Sequence, residues 1–271
     1  MQYSAQTTKV LEVFRKGTSL LCQTADGLET HWQPNLQDPR RLHNSYIGNL
    51  AGAYVSKYAE LSRAILAALD HEDYLVYALC GRALIETVAH LRYYVVHKYK
   101  PLFEKKHLDQ EDLRTLLETD DVHLRGGRFD WESFMLGRYT QMKEDAIKEL
   151  NAKGKKSQQK QEQITNYITA QQVSVLTCIK HWAAETPAIL IVYNLFCDLV
   201  HPNVGSIFLV SSHNAGKVYF SKGKGDNAGH HIVEHSLPML ASVTHKPFGE
   251  LVTWLMAARL KEDEFNQTDQ P

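Results

Sequence analysis

Cysteine is scarce in this chain and shows no pattern. Four occur in 271 residues, Cys22, Cys80, Cys178 and Cys197, with no CxxC pair. Three of them sit in apolar helical runs, where a reduced thiol behaves as a small hydrophobe. This argues against a disulfide scaffold and for a reducing cytoplasm. An excess of charge of one sign is also missing: 30 basic side chains face 31 acidic ones. No global field draws the protein onto nucleic acid or anionic lipid, so any such binding needs a local patch. Long uninterrupted apolar runs are absent too. The N-terminal "MQYSAQTTKVLEVFRKG" lacks the apolar core of a signal peptide, and the best candidate for a membrane span, residues 74–96, carries Arg82, Glu86, His90 and Arg92. That is too much charge for an unassisted span. The expectation is a cytoplasmic protein without a membrane partner.

Several chemical signatures are likewise missing. There is no GxSxG elbow, no HExxH and no phosphate loop of either common type. "GHHIVEHSLP" sets His231 and His235 four residues apart beside Glu234, part of a divalent site if helical, but no third ligand can be named. The expectation is an exposed His-rich helix start, with no metal and no cofactor. "GKGDNAG" fits a connector, and the lysines of "KGKKSQQK" (153–160) fit a surface loop that could also meet RNA phosphates.

What is present is helical periodicity. Leu42, Tyr46, Leu50, Tyr54, Tyr58, Leu61, Ile65 and Leu69 recur at steps of three or four, which predicts one amphipathic helix over 40–69. A second, apolar nearly all round, spans about 73–99 and stops at Pro101; such a helix belongs at the centre of a bundle. A shorter helix covers "LDQEDLRTLLET", "RGGRFDW" reads as a turn, and 131–150 reads as helical. Residues 151–163 hold no large apolar side chain and read as a polar loop. Helicity resumes over 164–185. Thr186 and Pro187 then supply an N-cap and a first-turn proline for a helix ending near residue 201. "SIFLVSS" and "KVYFSK" around "HNAG" predict a β-hairpin near 206–221. Two closing helices follow at about 230–244 and 247–262, before a frayed tail. The predicted fold class is mainly α: one domain over 1–271, a helical bundle with core segments near 40–100 and 164–202, carrying one small hairpin.

Two polar sets interrupt the apolar helices. Arg82 and Glu86 lie one turn apart, with His90 on roughly the same side. Arg preceding Glu is the less favourable order for an intrahelical pair, so each charge is expected to look toward another helix. In "YNLFCDLVHPN", Asn194, Asp198 and His201 are spaced by four and three and therefore share a face. A buried Asp198 would need a cation, for which Arg82 is the candidate, and a carboxylate near His201 would fix its tautomer. The alternative is a satisfied network that only sets helix register, with His201 closing the helix end.

"CGRALIETVAHLRYY" followed by "YNLFCDLVHPN" resembles the HEPN-like helical superfamily, over about half of the chain. The resemblance implies a compact bundle, often dimeric, from prokaryotic toxin–antitoxin or phage-defence systems, whose active members cleave RNA without metal. It matches Arg82 and Glu86 to the acidic helix and His201 to the late histidine; these three and Asp198 are the catalytic candidates, and Asn194, Asn203 and His90 the binding candidates. Active members carry an arginine separated from the late histidine by four to six residues; here Asn194, Leu195 and Phe196 stand in those places. Two readings result. One is an RNA- or nucleotide-directed enzyme with His201 as acid/base and Arg82 as clamp. The other is a non-catalytic module binding a partner protein or nucleic acid; a homodimer is compatible with both.

Overall fold

The computed structural model describes residues 3–30, 37–105, 108–125, 173–220 and 228–260. The expected helix at 131–150, the polar loop at 151–163, the "RGGRFDW" turn, the lysine cluster and the C-terminal tail lie outside these residues, as does most of "GKGDNAG". Within them the chain is mainly α, with one two-stranded hairpin.

The two long periodic segments are helices. α2 (Pro39–Asp70) starts where Asp38 accepts the Arg40 and Arg41 amides and Pro39 occupies its first turn, a start that uses groups with no intrahelical partner. It buries Ile47, Leu50, Tyr54, Tyr58 and Ile65. α3 (Tyr74–Tyr94) passes into a π-helical turn, Val95–Tyr99, and then α4 (Lys100–Phe103). Pro101 therefore does not end the run: it sits in the first turn of α4, where its missing amide costs nothing. α3 is central, packing on α2, on α6 (Val175–Glu185), on α7 (Ala188–Val200) and on α9 (Ala228–Ala257). α5 (Gln110–Arg125) lies on α2.

Other expectations are corrected. An N-terminal helix, α1 (Ala5–Gly27), capped by Ser4 on the Thr7 amide, had no counterpart in the sequence reading. It packs on α2 and α9 and buries Phe14. "SIFLV" is not a strand. Asn203 and Ser206 form a reciprocal capping box that starts α8 (Val204–Val210), and the satisfied amides hold the segment helical despite its β-branched residues. The hairpin is shorter, β1 (Ser212–Asn214) and β2 (Lys217–Tyr219). Ala215 and Gly216 turn it with φ of 47° and 77°, the left-handed pair that matches strand twist. The two closing helices are one: α9 continues through Pro238 and Pro247 because Leu240, Val243, Thr244, Phe248, Leu251 and Leu255 stay on one buried face across Pro247. At the head of α7, Thr186 makes no capping bond, and Pro187 occupies the boundary.

α3 and α7 meet at Gly81. A side-chain carbon there would overlap the Phe196 ring, which is fully buried. Gly81→Ala is therefore expected to destabilise the fold by about 1–3 kcal/mol, the range for overpacking, despite alanine's better helix propensity. Urea unfolding measures this; an unchanged or raised midpoint would contradict the packing described.

Candidate functional site

Arg82 and Glu86 pair with each other. Arg82 Nε donates to Glu86 Oε1 at 2.8 Å, and both side chains are about 30% exposed, 30% and 28%. Tyr193 of α7 donates to the same carboxylate oxygen at 3.2 Å, and the guanidinium lies 5.9 Å from the Tyr193 ring centre. The hydrogen bond to Glu86 raises the Arg82 pKa, and burial raises that of Tyr193. Glu86 thus reaches another helix by a hydrogen bond, as the residue order suggested, while Arg82 pairs within α3 and meets α7 through the Tyr193 ring.

Asn194, Asp198 and His201 do share a face, but it faces solvent. α7 buries Ile189, Val192, Tyr193, Phe196 and Leu199 instead. The expected pairing of Asp198 with Arg82 is not formed. His201 is the C-cap of α7. It lies eight residues beyond Tyr193, about 12 Å along the axis at 1.5 Å per residue. Among the described residues, neither Asp198 nor His201 side chain has a polar partner. Asn203 is taken up in the capping box of α8. The sequence candidates therefore fall into two groups, Arg82, Glu86 and His90 on α3, and Asn194, Asp198 and His201 along the outside of α7.

His90 leads to a feature the sequence did not reveal. Its Nδ1 lies 2.8 Å from the Tyr54 hydroxyl, which lies 2.7 Å from His123 Nε2. His123 Nδ1 is 3.2 Å from the Tyr99 hydroxyl, and Tyr99 donates to Asp120 Oδ1 at 2.9 Å. Asp120 Oδ2 meets His43 Nδ1 at 2.7 Å, and His43 Nε2 ends the series on the Ala258 carbonyl at 3.1 Å. Five of these side chains are buried, Tyr99, Asp120 and His43 completely. Burial raises the Asp120 and Tyr54 pKa values and lowers that of His123 well below the ordinary 6.5, with His90 adding to the last effect. His90 is lowered to about 4, by burial first and then by the positive charge of Lys57.

The outer end of the series opens on a cleft of about 370 Å³ between α2 and α3, within the range of small-molecule sites. Lys57, Glu86, Thr87 and His90 give it polar groups. Leu50, Ala53, Ala83 and Val175 give it apolar ones, with Tyr54 and His123 also in its wall. Among the described residues no three His, Cys, Asp or Glu side chains are grouped to hold a metal ion. His231 and His235 lie exposed on α9, and Glu234 between them accepts from Ser4 and Thr7 of the α1 start.

The one available signal for the buried series was chemical. Tyr54 was counted in the apolar stripe of α2, yet a buried tyrosine needs a partner for its hydroxyl. The partners lie 36 and 69 residues away, a pairing no spacing rule supplies. No protein-family model, curated protein or solved structure matches the chain.

The lowered histidines make stability depend on pH. Unfolded, His90 binds a proton near 6.5; folded, it does so near 4. The folded state therefore has its full stability above about 6.5 and loses it as pH falls from there toward 4, and His123 carries the loss further down. His90→Gln keeps a donor for Tyr54 and cannot titrate. It is expected to remove about 2–3 kcal/mol of the stability lost between pH 7 and pH 4, read by urea unfolding at several pH values. Equal pH dependence in variant and wild type would contradict it.

Proposed function

We propose that this chain is a HEPN-like helical interaction module, of the prokaryotic defence or toxin–antitoxin kind that the resemblance implies, and that its contact face is the outside of α7 and α8. The observation that carries this reading is the make-up of that face. Leu190, Ile191, Val204, Ile207 and Phe208 are exposed there, Ile191 and Val204 by 64% and 65%, around Asn194, Asp198 and His201. Residues 188–210 contain one acid and neither lysine nor arginine. Contact with RNA phosphates needs such cations, whereas exposed aliphatic groups around a few polar ones suit a protein surface.

A second copy of the chain is the occupant that fits. In a two-fold contact the same patch meets itself, so residues i and j of one copy meet j and i of the other. Asp198 and His201, an acceptor and a donor three residues apart, can pair in this way across two α7 helices. The availability of His201 and Asp198 also supports a second reading, a metal-independent ribonuclease whose site two copies complete. Within one chain the guanidinium of Arg82 is held by Glu86, at a distance along α7 from His201, so Arg82 does not supply a cation to the His201 of its own copy.

Light scattering of the purified chain with Ile191→Asp and His201→Ala, alongside cleavage of a labelled RNA, tests both. The expected result is a dimer that Ile191→Asp weakens roughly 10- to 100-fold without loss of fold, since Ile191 is exposed, and no cleavage. A chain monomeric at 100 μM, taken as an order of magnitude well above typical specific affinities, would refute the proposed occupant. Cleavage lost in both variants would replace the binding reading with the ribonuclease one.

A further inference from the structure

The direction of every hydrogen bond between Asp120 and His90 follows from one carbonyl. Ala258 O can only accept, so His43 Nε2 carries a hydrogen. The remaining proton of the His43 and Asp120 pair lies between Nδ1 and Oδ2, 2.7 Å apart, on either atom. In both arrangements Asp120 Oδ1 is an acceptor. Placing that proton on Oδ1 instead would set a bare Nδ1 against a bare Oδ2 at 2.7 Å, two buried acceptors facing each other with no hydrogen between them. Tyr99 therefore donates to Oδ1, and its oxygen accepts from His123 Nδ1–H. His123 is neutral, so its Nε2 accepts from Tyr54 O–H, and the Tyr54 oxygen accepts from His90 Nδ1–H. Neutral His90 is left with a bare Nε2, which has no partner among the described residues, on the wall of the cleft.

The rest of the cleft adds charge. Glu86 is balanced by Arg82, and Lys57 stands opposite on α2 with no counter-ion among the described residues. The cleft thus offers one acceptor of fixed orientation, one net positive charge and apolar walls at Leu50 and Val175.

We propose that the cleft between α2 and α3 binds a small organic anion that carries an N–H or O–H donor, with His90 Nε2 accepting from the donor and Lys57 taking the anionic end. Tyr54, Tyr99, His123 and Asp120 are positioning residues: they touch no ligand group that defines the class, but they keep the acceptor bare. This site is separate from the α7 and α8 face, so either can fail without the other.

Nitrogen-15 imidazole NMR of the full chain near neutral pH tests the proposal in two steps. Without ligand, His90 is expected as the Nδ1–H tautomer, and Tyr54→Phe, which removes the hydroxyl that fixes it, is expected to shift it toward Nε2–H. A panel of hydroxy- and amino-substituted benzoates is then titrated, with unsubstituted benzoate as control. The substituted acids are expected to saturate with a shift confined to His90 Nε2 and to bind about tenfold more tightly than benzoate, one hydrogen bond's worth of discrimination. Lys57→Met is expected to weaken the whole panel. An Nε2–H tautomer in the unliganded wild type overturns the proposal, as does a panel without saturable binding or with benzoate binding equally well.

Discussion

The contact between His43 and Asp120 is the one on which the buried polar series of this structure depends. Both side chains are fully buried, from helices 77 residues apart in sequence, and together they bring α2 and α5 to the end of α9 at Ala258. Removing one partner of such a pair leaves a charge or a bare polar atom in the core, which costs about 3–5 kcal/mol. The pair also sets the sense of the hydrogen bonds that run outward through Tyr99, His123 and Tyr54. A choice of proton position deep in the bundle is thereby fixed at His90, on the wall of a solvent-accessible cleft. Apolar packing alone could hold these helices together, but it could not orient an imidazole.

The molecule keeps its two distinctive surfaces apart. On one side is the cleft, backed by buried polar groups and lined by Lys57, Glu86 and His90. On the other is the outward face of α7 and α8, apolar around Asn194, Asp198 and His201. α7 and α8 bend by 65° at Pro202, and no single helix among the described residues is long and apolar enough to cross a membrane. Arg82, Glu86 and Tyr193 join α3 to α7, and Glu86 is at the same time part of the cleft lining. Their geometry suits a structural clamp, with the guanidinium charge already balanced where it stands.

Legibility in the sequence tracked the range of the interactions. α2 and α3 could be read because a period of 3.6 extends over many turns, and the sequence placed α3 at the centre of the bundle correctly. "SIFLV" was misread because its β-branched residues argue for strand while two polar atoms, on Asn203 and Ser206, decide for helix. Pro247 was misread because the phase of the buried face, rather than the proline, governs α9. The spacing of Asn194, Asp198 and His201 gave a shared face correctly. It could not say that the face points outward, since Leu190 and Ile191 beside it made α7 look apolar throughout. The buried series was hidden for a different reason. Its members are ordinary Tyr, His and Asp residues whose relation exists only after α2, α5 and the π-helical turn have packed.

The central claim is that the deep end of this series determines the state of its outer end. The most direct measurement is the nitrogen-15 imidazole spectrum of Tyr99→Phe. Without the Tyr99 hydroxyl, His123 Nδ1–H has no acceptor, so His123 is expected to move its proton to Nε2 and donate to Tyr54. Tyr54 then donates to His90 Nδ1, and both histidines change tautomer together, although Tyr99 does not hydrogen-bond to His90. A variant in which His90 keeps the wild-type tautomer would contradict the account.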